Sequence, residues 1–285
     1  MPTLREVIAT YQKAGQGLGH FNISDSNQLH AVAAASKATG LPVLVGLSEG
    51  EREFFPITHA RALIDAYRAQ GIALYLNADH TYGVEKVQHA IVDGVDSVVV
   101  DGAKLIFEEN VHLLTTSVKY ARASGRDVLV EGELGYIGTS SKVMDALPEG
   151  AAITEAMMTK PEELRALVDQ TDIDLVAPAV GNVHGIVTSG QPKLSIERIA
   201  LLKDAVPVPL VLHGGSGSGD DEFKAAVQAG ITIIHINTGL RVLYHDSLQA
   251  ALVSGETTPY KFLTPAVEAM QAYIAQKITL FANRQ

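Results

Sequence analysis

The chain has 285 residues, a formal net charge of −10, 47% hydrophobic residues and no cysteine. This length suits one α/β domain, the lack of cysteine excludes disulfides and thiolate metal sites, and the negative charge disfavours non-specific nucleic-acid binding. No signal-peptide core and no apolar run of about 18 residues is found, so we expect a cytoplasmic protein with neither a membrane nor a nucleic-acid partner.

Short runs rich in Val, Ile and Leu alternate with segments of helical period, which is typical of parallel strands covered by helices. The runs predicted as strands are 17–22, 42–48, 72–80, 97–102, 127–133, 174–180, 209–215 and 231–238. Eight units favour a single (β/α)8 TIM barrel domain over residues 1–285, because the rival, a doubly wound open sheet, usually has about six strands.

Polar side chains lie at the carboxyl ends of these predicted strands, where barrel enzymes carry their active sites. They are Asn22, Ser48, Asp79, His80, Asp101, Glu133, His213 and Asn237, with His184 a few residues after the sixth strand. His80, His184 and His213 could meet around one ion and leave an open fourth position, as a catalytic zinc requires. A histidine at a strand end is more often a hydrogen-bonded structural residue, so both interpretations stay open.

The segment HGGSGSGDDEF, residues 213–223, places several glycines directly before a predicted helix. Backbone N–H groups in such a turn can bind an anion, and barrels often bind phosphate after the seventh strand. A flexible loop capped by Ser218 or Asp220 explains the same residues. The sequence alone leaves a phosphate site and an ordinary loop as alternatives.

A long, irregular segment follows Glu133, over residues 134–160. It is too long for an ordinary connection between a strand and a helix, and long loops on the active face of a barrel are often lids. We therefore predict a lid here, with an insertion of no catalytic consequence as the alternative.

The positions of the lysines separate two kinds of carbonyl chemistry. A Schiff-base mechanism requires a lysine inside the barrel mouth. None of the predicted strands contains one, and Lys104 and Lys193 lie in the segments that follow strands. Metal chemistry is therefore favoured over Schiff-base chemistry.

Several segments together resemble the class II, metal-dependent ketose-bisphosphate aldolases, which include fructose- and tagatose-bisphosphate aldolases. In the order of that family they are HFN, NADH, AIVDGVDSVVVDGAKLIFEEN, VEGELG, AVGNVHG with PKL downstream, LVLHGGSG and FLTPAVEAM. The resemblance implies a zinc-dependent lyase that cleaves a ketose 1,6-bisphosphate, by default fructose 1,6-bisphosphate, to dihydroxyacetone phosphate and glyceraldehyde 3-phosphate. It also implies a homodimer or homotetramer, one Zn²⁺ per subunit and a monovalent cation, Na⁺ or K⁺, near the phosphate.

The same resemblance implies roles for individual residues. His80, His184 and His213 match the zinc ligands. Glu133 matches an additional or alternate acidic group near the metal, and Asp79 matches the acid/base that exchanges a proton with the C4 hydroxyl. Zinc would act as a Lewis acid on the C2 carbonyl. The residues that match the substrate and phosphate pocket are Asn22, Ser48, Gly185, Gly214, Gly215, Ser216, Asn237 and Thr238.

The lid departs from the family pattern. Where relatives carry an acidic pair, this chain has Ser140 and Ser141. The lid acid, which in the family helps proton exchange at the dihydroxyacetone-phosphate carbon, is therefore missing or is supplied by Asp145 or Glu149.

Departures around the ketose C1 end affect the expected substrate. In the eighth strand Ile233 replaces a lysine, His235 an asparagine and Gly239 an acid, and Thr188 replaces a lysine that often follows the second histidine. These changes motivate two alternative substrates, tagatose 1,6-bisphosphate and a less phosphorylated ketose.

Two further alternatives change the class of protein rather than the substrate. They are a barrel metallohydrolase, in which zinc activates water, and a noncatalytic barrel that binds a sugar phosphate.

For the far phosphate of a bisphosphate substrate, Arg241 and Arg284 are the candidate partners.

Overall fold

In the computed structural model, parallel strands close into a barrel. The structure describes residues 1–135, 137–138, 142–146 and 154–284. Within these residues the barrel strands are β1 (Leu18–Asn22), β2 (Val43–Leu47), β3 (Leu74–Thr81), β4 (Ser97–Val100), β5 (Leu129–Leu134), β6 (Leu175–Pro178), β7 (Leu210–Leu212) and β8 (Ile231–Ile236). Strands adjacent in sequence are adjacent in the barrel, and β8 pairs with β1 to close it. The predicted TIM barrel is confirmed, with strand ends that differ from the prediction by a few residues, while the domain limits stay a prediction.

Helices cover the outside of the barrel. They are α1 (Leu4–Ala14), α2 (Ser26–Thr39), α3 (Glu49–Phe54), α4 (Ile57–Arg68), α5 (Val84–Asp93), α6 (Phe107–Ala123), α7 (Pro161–Thr171), α8 (Ile196–Ala205), α9 (Asp220–Ala229), α10 (Thr238–Leu252) and α11 (Pro259–Phe281). The last helix, α11, packs on α10 and α2. None of the helices among the described residues is long and apolar enough to span a membrane.

Local sequence explains where the helices begin and end, as α2 illustrates. The Asp25 carboxylate accepts hydrogen bonds from the backbone N–H groups of Asn27 (2.8 Å) and Gln28 (2.9 Å), two donors that have no partner within the helix. Gly40 ends the helix at a φ of 67°, a left-handed conformation that glycine adopts without steric cost. These two caps therefore account for where the helix begins and ends.

The barrel interior contains a polar layer as well as apolar side chains. His20 Nε2 lies 3.1 Å from Asn77 Oδ1, and Asn77 Nδ2 donates to Ser97 Oγ at 2.8 Å. All three side chains are buried, so these hydrogen bonds offset the loss of water around them. Gly46 leaves room for this layer, because a Cβ at that position would overlap Cε1 and Nε2 of His20.

We expect Gly46→Ala to lower the free energy of unfolding by about 1–3 kcal/mol, because the added methyl group overpacks the interior against His20. Urea unfolding followed by circular dichroism measures this. Gly50→Ala is the control, since nothing lies within 4 Å of a Cβ at that position. Equal midpoints for the two variants would show that the imidazole moves aside without cost.

Candidate metal centre and active site

A bulge in β3 turns two adjacent side chains toward the mouth of the barrel. Ala78 pairs with Val98 and Thr81 with Val100, so Asp79 and His80 together stand opposite one residue of β4. His80 has a φ of 38°, which is uncommon for a residue other than glycine. Successive side chains of a regular strand point to opposite faces, and the extra residue removes that alternation. Both side chains therefore face the same site.

The three histidines proposed from the sequence as metal ligands lie together. One ring nitrogen from each of His80, His184 and His213 lies within 4.8 Å of the other two. The ring centroids are 4.9 Å apart for His80 and His184, and 5.1 Å apart for His80 and His213. Residues far apart in sequence are brought to one point because their strands end at the same edge of the barrel.

Hydrogen bonds decide which nitrogen of His80 and of His184 is free. Nδ1 of His80 lies 2.9 Å from Asp101 Oδ2, and Nδ1 of His184 lies 2.7 Å from the backbone oxygen of Gly138. Both acceptors require a hydrogen on Nδ1, so in the neutral rings Nε2 keeps its lone pair. A ligating histidine usually has its other nitrogen held by a carboxylate or carbonyl in this way.

His213 presents the opposite nitrogen. Its Nε2 lies 2.7 Å from Glu131 Oε1, while Nδ1 is buried and has no hydrogen-bond partner among the described residues. Glu133 places Oε1 3.6 Å from that Nδ1, and its Oε2 is also buried without a partner. Three imidazole nitrogens beside one carboxylate form a donor set that fits a zinc ion. The unpartnered buried atoms are those that a bound ion would satisfy.

The carboxylates around His213 govern its protonation. Burial lowers the pKa of His213, but the hydrogen bond to Glu131 and the nearby Glu133 outweigh burial and raise it to about 10. Without a metal the ring therefore carries a proton at neutral pH. A divalent ion must displace a proton to bind Nδ1, so we expect its affinity to fall as the pH falls.

Asp79 lies beside this cluster, and both of its carboxylate oxygens face polar groups. Asn22 Nδ2 donates to Oδ2 at 2.9 Å, and His235 Nδ1 lies 3.4 Å from Oδ1. Burial raises the pKa of Asp79, but the charge of His80 and the nearby His235 outweigh burial and hold the pKa well below its usual value. The ionised form can accept a proton.

Glu51 organises three residues expected to line the substrate cleft. Its carboxylate accepts from Asn22 Nδ2 (2.8 Å), from the backbone N–H of Ser48 (2.6 Å) and from Asn237 Nδ2 (3.3 Å). It therefore joins the ends of β1, β2 and β8 on one side of the site. Sequence reasoning missed this residue, because Glu51 belongs to a helix rather than to a strand end.

A cleft on one side of the histidines contains most of the residues proposed for substrate and phosphate binding. Its lining is Asn22, Ser48, Asp79, His80, His184, Gly185, His213, Gly214, Ser216, His235, Asn237 and Thr238. Gly215 lies behind this lining, where it packs against the backbone of His235 and the ring of Phe223. Gly215 is not among the lining residues of this cleft, and its assignment to the pocket stays a prediction.

Two helix starts lie near this cleft, one after the glycine-rich turn and one at Thr238. The glycine-rich turn leads into α9, whose first turn carries Asp220, Asp221 and Glu222. Those carboxylates already complement the helix dipole and disfavour an anion there. The lining instead includes Thr238, the first residue of α10, so the N-terminus of α10 faces the cleft.

A second cleft opens on the other side of His80 and His184. Its lining is Ser48, Glu49, Gly50, His80, Tyr82, Asp101, Ala103, Lys104, Glu133, Ile137, Gly138 and His184. Lys104, noted from the sequence only as lying outside the strands, is the cationic side chain in this lining. The two clefts flank the candidate metal site.

The described part of the predicted lid is attached to the loop that carries His184. Val143–Met144 pairs in parallel with Ile186–Val187, and Ser189 N donates to the backbone oxygen of Asp145 at 2.9 Å. Asp145 is exposed. Ser140 and Ser141, which stand in place of the family's acidic pair, and Glu149, the other candidate for the lid acid, lie outside the described residues.

The two arginines considered for a far phosphate lie in different places. Arg241 is in the first turn of α10, whose first residue, Thr238, lines the cleft that contains Gly214 and Ser216. Arg284 follows α11, whose end meets the start of β1 through the hydrogen bond from Gly17 N to the backbone oxygen of Phe281. That is the opposite end of the barrel from the candidate site, so Arg284 is wrong as a substrate contact.

Comparison with known families and proteins gives one consistent result. The family model described as fructose-bisphosphate aldolase class-II matches residues 2–285. The fructose-bisphosphate aldolase of Geobacillus stearothermophilus is 30% identical over 288 residues, which cover 99% of this chain and 96% of that protein. The fructose-bisphosphate aldolase of Staphylococcus aureus is also 30% identical, over 99% of this chain and 97% of that protein.

Solved structures show the same architecture. The YdjI aldolase from Escherichia coli K12 is similar with a TM-score of 0.81 at 25% identity, over 98% of this chain and 96% of that one. The fructose-bisphosphate aldolase from Campylobacter jejuni also has a TM-score of 0.81, at 19% identity over 99% and 95% of the two chains. At that identity the second likeness concerns the fold alone.

We expect Glu131→Gln to weaken metal binding about 10–100-fold, because the amide holds the Nε2–H of His213 less strongly than the carboxylate does. Competition between the protein and a chromogenic chelator for Zn²⁺ measures this affinity. Glu108→Gln, an exposed change on α6, is the matched control. If both variants bind Zn²⁺ as tightly as the parent, Glu131 does not support a metal ligand.

Proposed function

Because the chain belongs to the class II fructose-bisphosphate aldolase family and is therefore an aldolase, a carbon–carbon lyase that acts on a phosphorylated sugar, we propose the following reaction. A ketose 1,6-bisphosphate, by default fructose 1,6-bisphosphate, is cleaved to dihydroxyacetone phosphate and glyceraldehyde 3-phosphate, with one zinc ion per subunit. The observation that carries the proposal is the convergence of three imidazoles whose other nitrogens are all held by acceptors. The metallohydrolase and the noncatalytic barrel considered from the sequence do not agree with the family.

We assign the ion to His80, His184 and His213, with Glu133 as an additional or alternate ligand. Their free nitrogens and the buried Glu133 oxygen support this assignment. When bound there, zinc would supply a Lewis acid for the ketose carbonyl. Asp101 and Glu131 keep two of the imidazoles in the tautomer and orientation that ligation needs.

Asp79 is assigned as the base for cleavage. The ionised carboxylate takes the proton of the C4 hydroxyl, the C4 oxygen becomes the aldehyde carbonyl, and the electron pair of the C3–C4 bond stays with the C3 fragment. Asn22 holds one carboxylate oxygen and leaves the other directed toward His235. The carbon C3 then needs a proton, for which Asp145 and Glu149 in the lid are the candidate donors.

The cleft lined by Gly185, Gly214, Ser216, Asn237 and Thr238 is assigned to the C1 phosphate. The N-terminus of α10 supports this, because backbone N–H groups and the helix dipole favour an anion there. A monovalent cation, Na⁺ or K⁺, is proposed near the same phosphate from the family resemblance.

An alternative substrate is favoured by one observation in β8. Ile233 is fully buried between β1 and β7, so the position where relatives carry a lysine supplies no charge here. Tagatose 1,6-bisphosphate or a ketose with fewer phosphates is therefore the second candidate. A homodimer or homotetramer in the cytoplasm is proposed from the family resemblance, and size-exclusion chromatography with light scattering tests the assembly.

We expect Asp79→Asn to lower kcat for ketose cleavage by about 10²–10⁴-fold, because the amide cannot accept the C4 proton. The variant should keep its zinc, measured by atomic emission, since Asp79 is not an assigned ligand. Chelator-treated parent protein should lose activity and regain it with Zn²⁺. Full cleavage by metal-stripped protein, or by Asp79→Asn, contradicts the mechanism.

Lys104→Met tests whether the cleft beside Lys104 binds a second phosphate of the substrate. If a second phosphate occupies the cleft beside Lys104, KM for fructose 1,6-bisphosphate should rise roughly threefold to tenfold, because one charge-assisted contact is lost near the surface. KM for a ketose 1-phosphate should not change. Lys119→Met, an exposed change on α6, is the control.

A panel of fructose and tagatose phosphates assayed with the parent protein separates the two candidate substrates. A strong preference for fructose 1,6-bisphosphate supports the default. Faster cleavage of tagatose 1,6-bisphosphate or of a ketose 1-phosphate contradicts the default and supports the alternative.

A further inference from the structure

Three imidazoles form a stacked column beneath the candidate metal site. The rings of His20 and His235 are nearly parallel, with centroids 3.5 Å apart and an interplanar angle of 7°. His235 also stacks on His213, with centroids 4.2 Å apart at 24°. His20 is fixed from below by its contact with Asn77. His235 is thus held between a ring anchored in the barrel interior and an assigned metal ligand.

The edge of this column faces the assigned base. His235 Nδ1 lies 3.4 Å from Asp79 Oδ1, and the only other close polar contact described for that carboxylate is Asn22 Nδ2 on Oδ2 at 2.9 Å. At 3.4 Å this approach does not yet meet hydrogen-bond geometry, and Oδ1 of Asp79 is buried with no hydrogen-bond partner among the described residues. Catalytic contacts of this kind often tighten only when substrate binds. His235 and Asn22 therefore approach the carboxylate at different oxygens.

The contacts of His235 indicate which ring nitrogen carries the hydrogen. Nδ1 is the nitrogen that lies against the carboxylate of Asp79. The ionised carboxylate of Asp79 can only accept, which requires the hydrogen on Nδ1. Nε2 is buried and has no hydrogen-bond partner among the described residues, which agrees with that tautomer.

A second metal site is the other interpretation of the cluster of His20, Asp79 and His235, whose ligand atoms lie within 4.8 Å of one another. The stacking argues against it. An imidazole binds a metal in the plane of its ring, and the planes of His20 and His235 are parallel and displaced by the stacking distance. Their lone pairs cannot converge on one ion.

We propose that His235 is a positioning residue for Asp79. The Nδ1–H of His235 donates to Oδ1 of Asp79 and, together with Asn22 on Oδ2, holds the carboxylate in the orientation that receives the C4 proton. The stack between His20 and His213 keeps the ring in the plane that this contact needs. The inference rests on the role proposed for Asp79. It gives a function to the histidine that stands where relatives carry an asparagine.

The test uses two variants of His235 that differ in the donor. His235→Asn places an amide N–H near the position of Nδ1, whereas His235→Leu keeps a similar volume without a donor. We expect His235→Leu to lower kcat about 10–100-fold with KM within about threefold of the parent, because a displaced base slows proton transfer without weakening binding. His235→Asn should keep kcat within about threefold. His112→Leu, an exposed change on α6, is the control.

A partial reaction separates positioning from a general structural role. Exchange of the C3 proton of dihydroxyacetone phosphate with deuterated solvent, followed by NMR, needs the metal site but not Asp79. We expect His235→Leu to retain this exchange and its zinc while cleavage falls. Equal loss of cleavage, exchange and zinc would show that His235 only supports the fold, and this would overturn the inference.

The parallel assay of Asp79→Asn distinguishes the possible failures. If Asp79→Asn cleaves normally, the proposed function of Asp79 is wrong. If Asp79→Asn loses cleavage while His235→Leu keeps it, only the positioning role is wrong. A rise in KM without a fall in kcat in His235→Leu would also overturn the inference, since it assigns the ring to substrate binding.

Discussion

Each imidazole assigned to the metal is held by a hydrogen bond at one nitrogen, and the chemistry of the site depends on that constraint. A neutral ring has one N–H and one lone pair, so an acceptor at one nitrogen fixes the lone pair on the other. Asp101, the backbone oxygen of Gly138 and Glu131 are those acceptors. The free nitrogens consequently face a common point and can bind one ion.

The barrel makes this arrangement possible because it brings the ends of distant strands to one edge. The bulge in β3 also contributes, because it turns the side chains of both Asp79 and His80 to the same side of the strand. One of these neighbours is assigned to the metal and the other to the substrate. Beneath them the stack of His20 and His235 carries polar groups deep into the interior, where the stacking and the contact of His20 with Asn77 position the two rings.

Much of the site was predictable because each polar residue at a strand end breaks an apolar run, as Asp79 and His80 do after LYLNA. The supporting residues were harder to predict. In the segment VEGE, Glu131 and Glu133 are two residues apart and therefore share one face of the strand. Nothing in the local sequence indicated that Glu131 holds His213. Glu51 lies on a helix, and its contacts with Asn22 and Asn237 join segments far apart in the chain.

The sequence by itself determined the number and order of the strands, because the period of apolar residues reflects burial along each segment. It also indicated the residue types available for metal binding and the lack of a lysine within the predicted strands. The tertiary structure alone decided which ring nitrogens are free, which helix N-terminus faces the cleft, and that Arg284 lies at the far end of the barrel. These properties depend on distances and angles between residues remote in sequence, which no local pattern contains.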